Sequence, residues 1–392
     1  MVPVSVGLRL TLRQRVCLAW PMGLKVLIVP DKFKGTLTAR AAAEAIARGW
    51  LLARPRDVLQ LLPMTDGGDG FGEVISGLLR AKPQRVETCD AAHRPCRARW
   101  WWESKSKTAV IETAQVVGLA MLPQGRFHPF QLDTYGLGAV LSAAAARGAR
   151  RCFIGIGGSA TNEGGFGLAR ALGWKFFKET GEEAEDWTEL ALVNRLSPPR
   201  RQLRFRELVI AVDVQNPLLG PKGATRIYGP QKGLKPGDFD LAERCLQRLA
   251  LLLRKQERRD VAQTPGAGAA GGLGFGLVAF LRGRLEPGFE LFAHEADLQR
   301  YLGNVDLVVT GEGAVDRSTF MGKGAGQVAR RCRQQGVPCI GLAGVISKGM
   351  ANRKLFTQLQ ALTDLTNTAT AIKEPAKWLE RLAKQVAEGW AM

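Results

Sequence analysis

No stretch of the chain limits its fold as tightly as Ile154-Gly155-Ile156-Gly157-Gly158-Ser159-Ala160-Thr161-Asn162-Glu163-Gly164-Gly165. The apolar, β-favouring Cys152-Phe153-Ile154 leads into it. Glycines follow that tolerate positive φ and leave the backbone bare. Phe166 to Leu172 then reads as the start of an amphipathic helix. A strand, a bare turn and a helix N-terminus in succession present converging backbone N–H groups, a cradle for an anion such as phosphate. That points to an α/β enzyme handling phosphorylated or carboxylated small molecules. The same glycines also serve as plain turn formers, so the loop acquires chemical meaning only in company.

With 392 residues, 46% hydrophobic and 23% charged, the chain has material for two cores. Its formal net charge of +19 suits either a nucleic-acid binder or an enzyme that attracts anions. The basic residues are scattered, with short clusters at 147–151, 254–259 and 330–333 and no zinc-finger, RNA-recognition or basic-zipper signature. The reading is therefore a solvated basic surface with no nucleic-acid partner. Seven dispersed cysteines without a Cys-x-x-Cys pair, and no secretory signal, fit a reducing cytoplasmic setting. His93, His128 and His294 stand far apart and give no transition-metal site. No apolar run reads as a membrane span; the uncharged stretch from Val261 to Leu281 is broken by glycines and reads as a loop entering a helix. Residues 1–21 carry arginines and no acid, like a targeting peptide. Met22 stands just before the first convincing strand, so this leader is expected to lie outside the fold.

Lys25–Val29 reads as a buried strand, and Thr38 as the N-cap of an Ala-rich helix ending near Trp50. Val58–Leu62 is a second strand, leading through Asp66-Gly67-Gly68-Asp69-Gly70 into another helix. This βαβα alternation predicts a parallel sheet with ligands at the carboxyl ends of its strands. The texture then changes to an antiparallel meander, Arg85–Thr88, Arg97–Trp102 and Thr108–Glu112. Trp100-Trp101-Trp102 reads as a strand with packed rings. Alternation returns near residue 295, with Val305–Thr310, Gly311-Glu312-Gly313, a helix and Cys339–Gly344. The expected architecture has two α/β domains. An open flavodoxin- or Rossmann-like parallel-sheet domain is built from 22–80 plus 295–392, and a mixed α/β domain, 81–294, is inserted and carries the glycine-rich loop. The active site is expected in the cleft between them.

Polar residues gather at the predicted strand ends. Asp31, Lys32 and Lys34 follow the first strand, and Asp66 and Asp69 the second. Ser159, Thr161 and Asn162 sit in the glycine loop; Asp213 and Asn216 follow Leu208–Val212. Glu312 and Asp316 follow Val305–Thr310, with Lys323 shortly beyond. Singly, such an Asp is equally a turn former or a helix cap. Together they fit phosphoryl transfer, in which positioning and charge neutralisation dominate catalysis. Carboxylates would hold Mg²⁺ or take a hydroxyl proton, while lysines and N–H groups would hold phosphates and a substrate carboxylate. A Walker A loop is absent. Gly155-x-Gly157-x-x-Ala160 and Gly266-x-Gly268-x-x-Gly271 match a dinucleotide fingerprint loosely, which makes a dinucleotide-binding oxidoreductase the rival reading.

Pro30-Asp31-Lys32-Phe33-Lys34-Gly35, Asp66-Gly67-Gly68-Asp69-Gly70, Thr134-Tyr135-Gly136 and Gly157 through Gly165 resemble the bacterial glycerate kinases of the first type. So do Asp213-Val214-Gln215-Asn216-Pro217-Leu218, Gly229-Pro230-Gln231-Lys232-Gly233, Pro265 through Gly274 and Thr310-Gly311-Glu312-Gly313, in the same order. Glu163 stands where that family often has Asp, and Gln215 where it often has Thr. The resemblance implies ATP- and Mg²⁺-dependent phosphorylation of D-glycerate, usually to 2-phosphoglycerate, with another small hydroxy acid as the alternative acceptor. It implies that Ser159, Thr161 and Asn162, with Gly157, Gly158 and Asn216, bind a phosphate or the glycerate carboxylate. Lys34 and Lys232 neutralise anionic groups. Asp213 is the expected general base, with Asp66 and Asp316 its competitors. Asp31, Asp69, Glu312 and Lys323 fall on the nucleotide or Mg²⁺ side. The expected partner is the small-molecule substrate, with no membrane, and a homodimer is left open.

Overall fold

The computed structural model describes residues 23–257, 260–321, 323–350 and 354–390; the leader 1–21 lies outside the described residues. In chain order, β1 (Lys25–Pro30) and β2 (Val58–Leu61) start one sheet. The meander β3 (Lys82–Cys89), β4 (Pro95–Glu103) and β5 (Thr108–Glu112) starts another, which continues with β6 (Arg151–Gly155). A separate antiparallel hairpin pairs β7 (Lys175–Lys178) with β8 (Val193–Ser197). The second sheet is completed by β9 (Glu207–Val212) and β10 (Arg284–Pro287). The first is completed by β11 (Leu307–Val315), β12 (Cys339–Ile346) and β13 (Gln358–Ala361).

The first sheet runs β13-β12-β11-β1-β2, every neighbouring pair parallel. Counted within the sheet this is the doubly wound order 2-1-3-4-5, whose topological switch point lies between β1 and β11. The second sheet runs β10-β9-β6-β5-β4-β3, parallel from β10 to β5 and antiparallel thereafter. The chain is thus two α/β domains, the second sheet interrupting the first between β2 and β11.

Core packing explains the layers. Val26 and Ile28 on one face of β1 meet Ile46 and Trp50 of the helix Ala39–Ala53, with Leu379, Leu382 and Val386 of the helix Pro375–Gly389. These helices approach so closely that a Cβ on Gly49 would lie 2.0 Å from the carbonyl of Glu380. Thr38 caps the first helix as expected, accepting from the Ala41 N–H at 3.1 Å. On the opposite face, Leu27 and Val29 share a core with Phe153 and Val209 of the second sheet, bridged by Phe71, Phe289 and Phe292. The two sheets are joined by continuous apolar packing. The tryptophan run splits across the second sheet, Trp100 entering its own core and Trp101 the shared one, both buried.

One expectation is revised, and the glycine-broken stretch before Leu281 is a loop entering a helix as expected. β11 runs through to Val315, so Glu312 lies within a strand, in register with Ala343 of β12, and not in a loop after it. In the segment Ala269–Leu281, Ala270, Gly271 and Gly272 have left-handed backbone, so regular helix starts only beyond them. No helix among the described residues is long and apolar enough to cross a membrane.

Candidate active site

The loops at the carboxyl ends of both sheets converge on a cleft of about 1640 Å³. From the first sheet it is lined by Lys32, Lys34, Asp66, Asp69 and Lys323; from the second, by Gly157, Gly158, Ser159, Asp213 and Lys232. Close backbone approach brings the two sides together. A Cβ on Gly157 would lie 2.6 Å from the Cα of Gly68, and one on Gly288 only 2.0 Å from the Asp66 carbonyl. Gly67, at φ +99°, has the Ala211 backbone within 3.2 Å of the same position.

Carboxylates and ammonium groups alternate across the floor. Lys32 Nζ donates to Asp66 Oδ1 at 3.4 Å, and the Gly68 N–H to the same oxygen at 3.1 Å. Burial pushes the Asp66 carboxyl up, but Lys32 and the Gly68 N–H outweigh it and hold Asp66 below the ordinary carboxylate range. Asp31, directly after β1, is buried; desolvation and then the neighbouring Asp66 raise it to about 7. Glu312 on the adjacent β11 accepts from Thr319 Oγ1 at 2.9 Å, yet burial, together with Asp31, raises it to about 8. These two acids flank the sheet's switch point, where Pro30 is in register with Gly311. Across the cleft, Asp213 has Lys323 Nζ 3.5 Å from its Oδ2. Burial and then the Asp66 charge raise the Asp213 carboxyl, with Lys323 opposing.

The glycine loop forms the opposite wall. Ser159 Oγ lies 3.0 Å from Thr161 Oγ1 and accepts from the Thr161 N–H at 3.2 Å. Lys232, at the end of the helix Ala224–Lys232, is buried and donates to the Thr161 carbonyl at 2.6 Å. Burial depresses its ammonium to about 7, with Glu163 pulling the other way. Glu163 is wholly buried: its oxygens accept from the Gly165 and Gly167 N–H groups at 2.9 and 2.6 Å and from Thr134 Oγ1. It therefore caps the helix Phe166–Ala171 from within the loop. Desolvation raises it to about 7.

Several expected site residues stand behind the cleft instead of in its wall. Thr161 and Asn162 are fully buried and absent from the lining; Asn162 Nδ2 donates to Thr225 Oγ1 at 3.1 Å. Asn216 braces its own loop, donating to the Lys222 carbonyl at 2.7 Å and accepting from the Tyr228 hydroxyl at 2.6 Å. Asp316 caps the short helix Arg317–Phe320, accepting from the Ser318 N–H and hydroxyl, each at 2.6 Å, which hold its carboxyl low. Asp31 and Glu312 also lie outside the lining, at the floor. Three of the fingerprint glycines are covered by protein. A Cβ on Gly155 would meet the Phe71 ring at 2.5 Å, on Gly268 the Pro217 carbonyl at 2.1 Å, and on Gly271 the Thr161 carbonyl at 1.9 Å. Close packing is what these three glycines serve, while Gly157 lines the cleft.

Sequence reasoning passed over two residues of the site. Glu112 ends a meander strand and reads as sheet, yet it lines the cleft. Tyr228 also lines the cleft, through a helix whose internal Pro230 hides its periodicity. An acid directly after the apolar Ala109-Val110-Ile111 run was the available signal for Glu112.

Comparison with known proteins agrees along nearly the whole chain. Residues 26–391 match the model of the glycerate kinase family. A glycerate kinase from Halalkalibacterium halodurans is 38% identical over 371 residues, covering 92% of this chain and 97% of its own. The glycerate 2-kinase of Escherichia coli K12 is 34% identical over 327 residues, 83% and 86% of the two chains. A crystal structure described as that of a glycerate kinase 2 from Salmonella typhimurium LT2 superposes with a TM-score of 0.80 at 31% identity, covering 93% of this chain and 97% of that one.

Proposed function

The chain belongs to the glycerate kinase family, and we propose that its interdomain cleft transfers the terminal phosphoryl group of ATP to the 2-hydroxyl of D-glycerate, giving 2-phosphoglycerate and ADP. The observation that carries this reading is the meeting of Lys32, Lys34, Lys232 and Lys323 with Asp66 and Asp213 in one cleft between two sheets. Phosphoryl transfer needs charge neutralisation around the moving group and a base beside the acceptor hydroxyl. This arrangement supplies both.

The base is Asp213. Its carboxyl is raised from the ordinary range, whereas Asp66 is held low and pinned by Lys32, and Asp316 is committed to a helix cap. A carboxylate closer to neutrality takes a proton more effectively at cellular pH. Lys232, an ammonium buried against the glycine loop at the Thr161 carbonyl, is matched to the glycerate carboxylate. Lys32, Lys34 and Lys323 face the phosphates. Thr161, Asn162 and Asn216 support the loops that present these groups.

Mg²⁺ fits the floor. A Cβ on Gly324 would lie 3.1 Å from Glu312 Oε2 and 3.3 Å from Asp31 Oδ2, so two carboxylate oxygens converge on a space that only glycine leaves open. Among the described residues no group of three or more His, Cys, Asp or Glu side chains is placed to hold a metal ion. Mg²⁺ in phosphoryl transfer is usually held by one or two carboxylates and by substrate phosphates, so a full protein cage is not required. Bound there, it would neutralise charge on the phosphate oxygens. Asp31 and Glu312 are its proposed holders, with Asp69 at the cleft edge.

We place the domain boundaries at 80/81 and 294/295, the enzyme in the cytoplasm, and nucleic acid outside its partners. A homodimer is compatible with this reading and is checked by sedimentation. The activity is tested by following ADP release with D-glycerate and Mg²⁺, and by phosphorus NMR of the product. 2-Phosphoglycerate is expected; 3-phosphoglycerate would move the acceptor atom, and no ADP would overturn the reading.

A further inference from the structure

The helix Phe71–Leu79 follows the Asp66–Gly70 loop and has no side-chain cap of its own; its N-cap is Gly70, at φ +86°. The missing acceptor arrives from the other sheet. Glu112, the last residue of β5, accepts from the Gly70 N–H with Oε1 and from the Gly72 N–H with Oε2, each at 2.9 Å. The carboxylate is buried, and Gly72 is held against it: a Cβ there would lie 2.1 Å from the Trp101 ring and 3.0 Å from Glu112 Oε2. The same loop is pressed from a second side by Gly157 against Gly68. Asp69, at the cleft wall, lies between these two holds, and Asp66, paired with Lys32, stands two residues before Gly68. Burial, and then the charges of Asp69 and Glu73, push the Glu112 carboxyl up, with the Gly70 and Gly72 N–H groups opposing.

Each oxygen of Glu112 accepts one backbone N–H, so the carboxylate is held as a clamp on the start of the neighbouring helix. We propose that Glu112 is a positioning residue: reaching from the inserted domain, it fixes the Asp66–Asp69 loop of the first domain in register with the glycine loop. The inference rests on the phosphotransfer reading of the cleft. Its content is that a carboxylate on one domain sets the geometry of catalytic groups on the other.

Glu112→Gln is the test, because the amide keeps one acceptor and turns an N–H₂ group towards a backbone N–H. Glu112→Asp keeps both acceptors on a shorter arm. In the Gln variant kcat is expected to fall about ten- to a hundredfold, the scale of misplacing catalytic groups by about an ångström. KM for D-glycerate should change far less, and amide hydrogen exchange should rise in residues 66–72 with the rest of the protein protected. Glu112→Asp should recover part of the kcat. Were the Gln variant to lose only melting temperature, with wild-type kcat well below its transition, Glu112 would be a helix cap and nothing more. If the Gln variant does not fold, Glu112→Asp decides alone, by whether kcat falls with KM for glycerate held. A wild-type enzyme inactive on D-glycerate would instead sink the phosphotransfer reading, and this role with it.

Discussion

Gly157 and Gly68 touch backbone to backbone, with room for no side chain: a Cβ on Gly157 would sit 2.6 Å from the Gly68 Cα. The contact joins the anion loop of one sheet to the Asp66–Asp69 loop of the other. Gly157→Ala must therefore push the two loops apart. Overpacking of this kind costs about 1–3 kcal/mol. Thermal unfolding should record that loss, and kcat/KM should fall by more than stability alone explains, because Asp66 and Ser159 move relative to each other. Wild-type kcat/KM in a destabilised Gly157→Ala protein would mean that the contact serves folding only.

Asp213 and Asp66 are distinguished by their surroundings, one raised and facing Lys323, the other held low by Lys32. Asp213→Asn removes the proton acceptor and should lower kcat about 10²- to 10⁴-fold while leaving the melting temperature close to wild type. Asp66→Asn removes the partner of Lys32 and should loosen the loop, with a rise in KM for ATP accompanying a smaller loss of kcat. Steady-state kinetics on both variants checks the assignment; reversal of the two patterns would make Asp66 the base.

Much of this arrangement is legible in the order of residues. The strands β1, β5 and β9 announce themselves as apolar runs, and the acids and lysines after β1, β2 and β9 fall in the cleft or at its floor because parallel strands all deliver their ends to the same side. β10 and β13 do not announce themselves: Arg-Leu-Glu-Pro and Gln-Leu-Gln-Ala contain no apolar run, and each is a strand because a neighbour pairs with it. The polar residues of the glycine loop are the harder case. Ser159, Thr161 and Asn162 look equivalent in sequence, but the loop turns so that Ser159 faces the cleft while the other two face the protein. Only tertiary packing decides that direction. Asp316 illustrates a local competition, since a Ser two residues on makes it a helix cap.

Lys232 titrates where a cell operates. Burial has lowered it to about 7, so its charge, full in mild acid, is lost as pH rises through neutrality in the free enzyme. If it holds the glycerate carboxylate, KM for D-glycerate should climb as pH rises from about 6 to about 8, while KM for ATP stays flatter. Lys232→Met should raise KM for glycerate about tenfold or more at pH near 6, the scale of a charged hydrogen bond, and should remove the pH dependence. A pH-independent KM for glycerate in the wild type would take Lys232 out of this role.

The same buried groups set a stability profile with a minimum near neutrality. Asp31, Glu163 and Glu312 are raised from 3.8, 4.5 and 4.5 to about 7, 7 and 8, so over that interval the native state binds more protons than the unfolded chain. Stability contributed by these acids is therefore lost as pH rises from about 4 to about 8. Lys232 acts in the opposite sense: lowered from 10.5 to about 7, it binds fewer protons when folded, so stability returns between about 7 and 10.5. Acids held low, such as Asp57 and Asp90, act in more acidic solution and leave this window unchanged. Urea midpoints of the free protein should be lower near pH 7.5 than near pH 5.5. Millimolar Mg²⁺ should raise the midpoint near pH 8, where Asp31 is largely and Glu312 partly ionised, and do so far less near pH 5.5. Asp31→Asn should both lift the apo midpoint near pH 8 and weaken the response to Mg²⁺. A Mg²⁺ response unchanged in that variant would place the ion elsewhere.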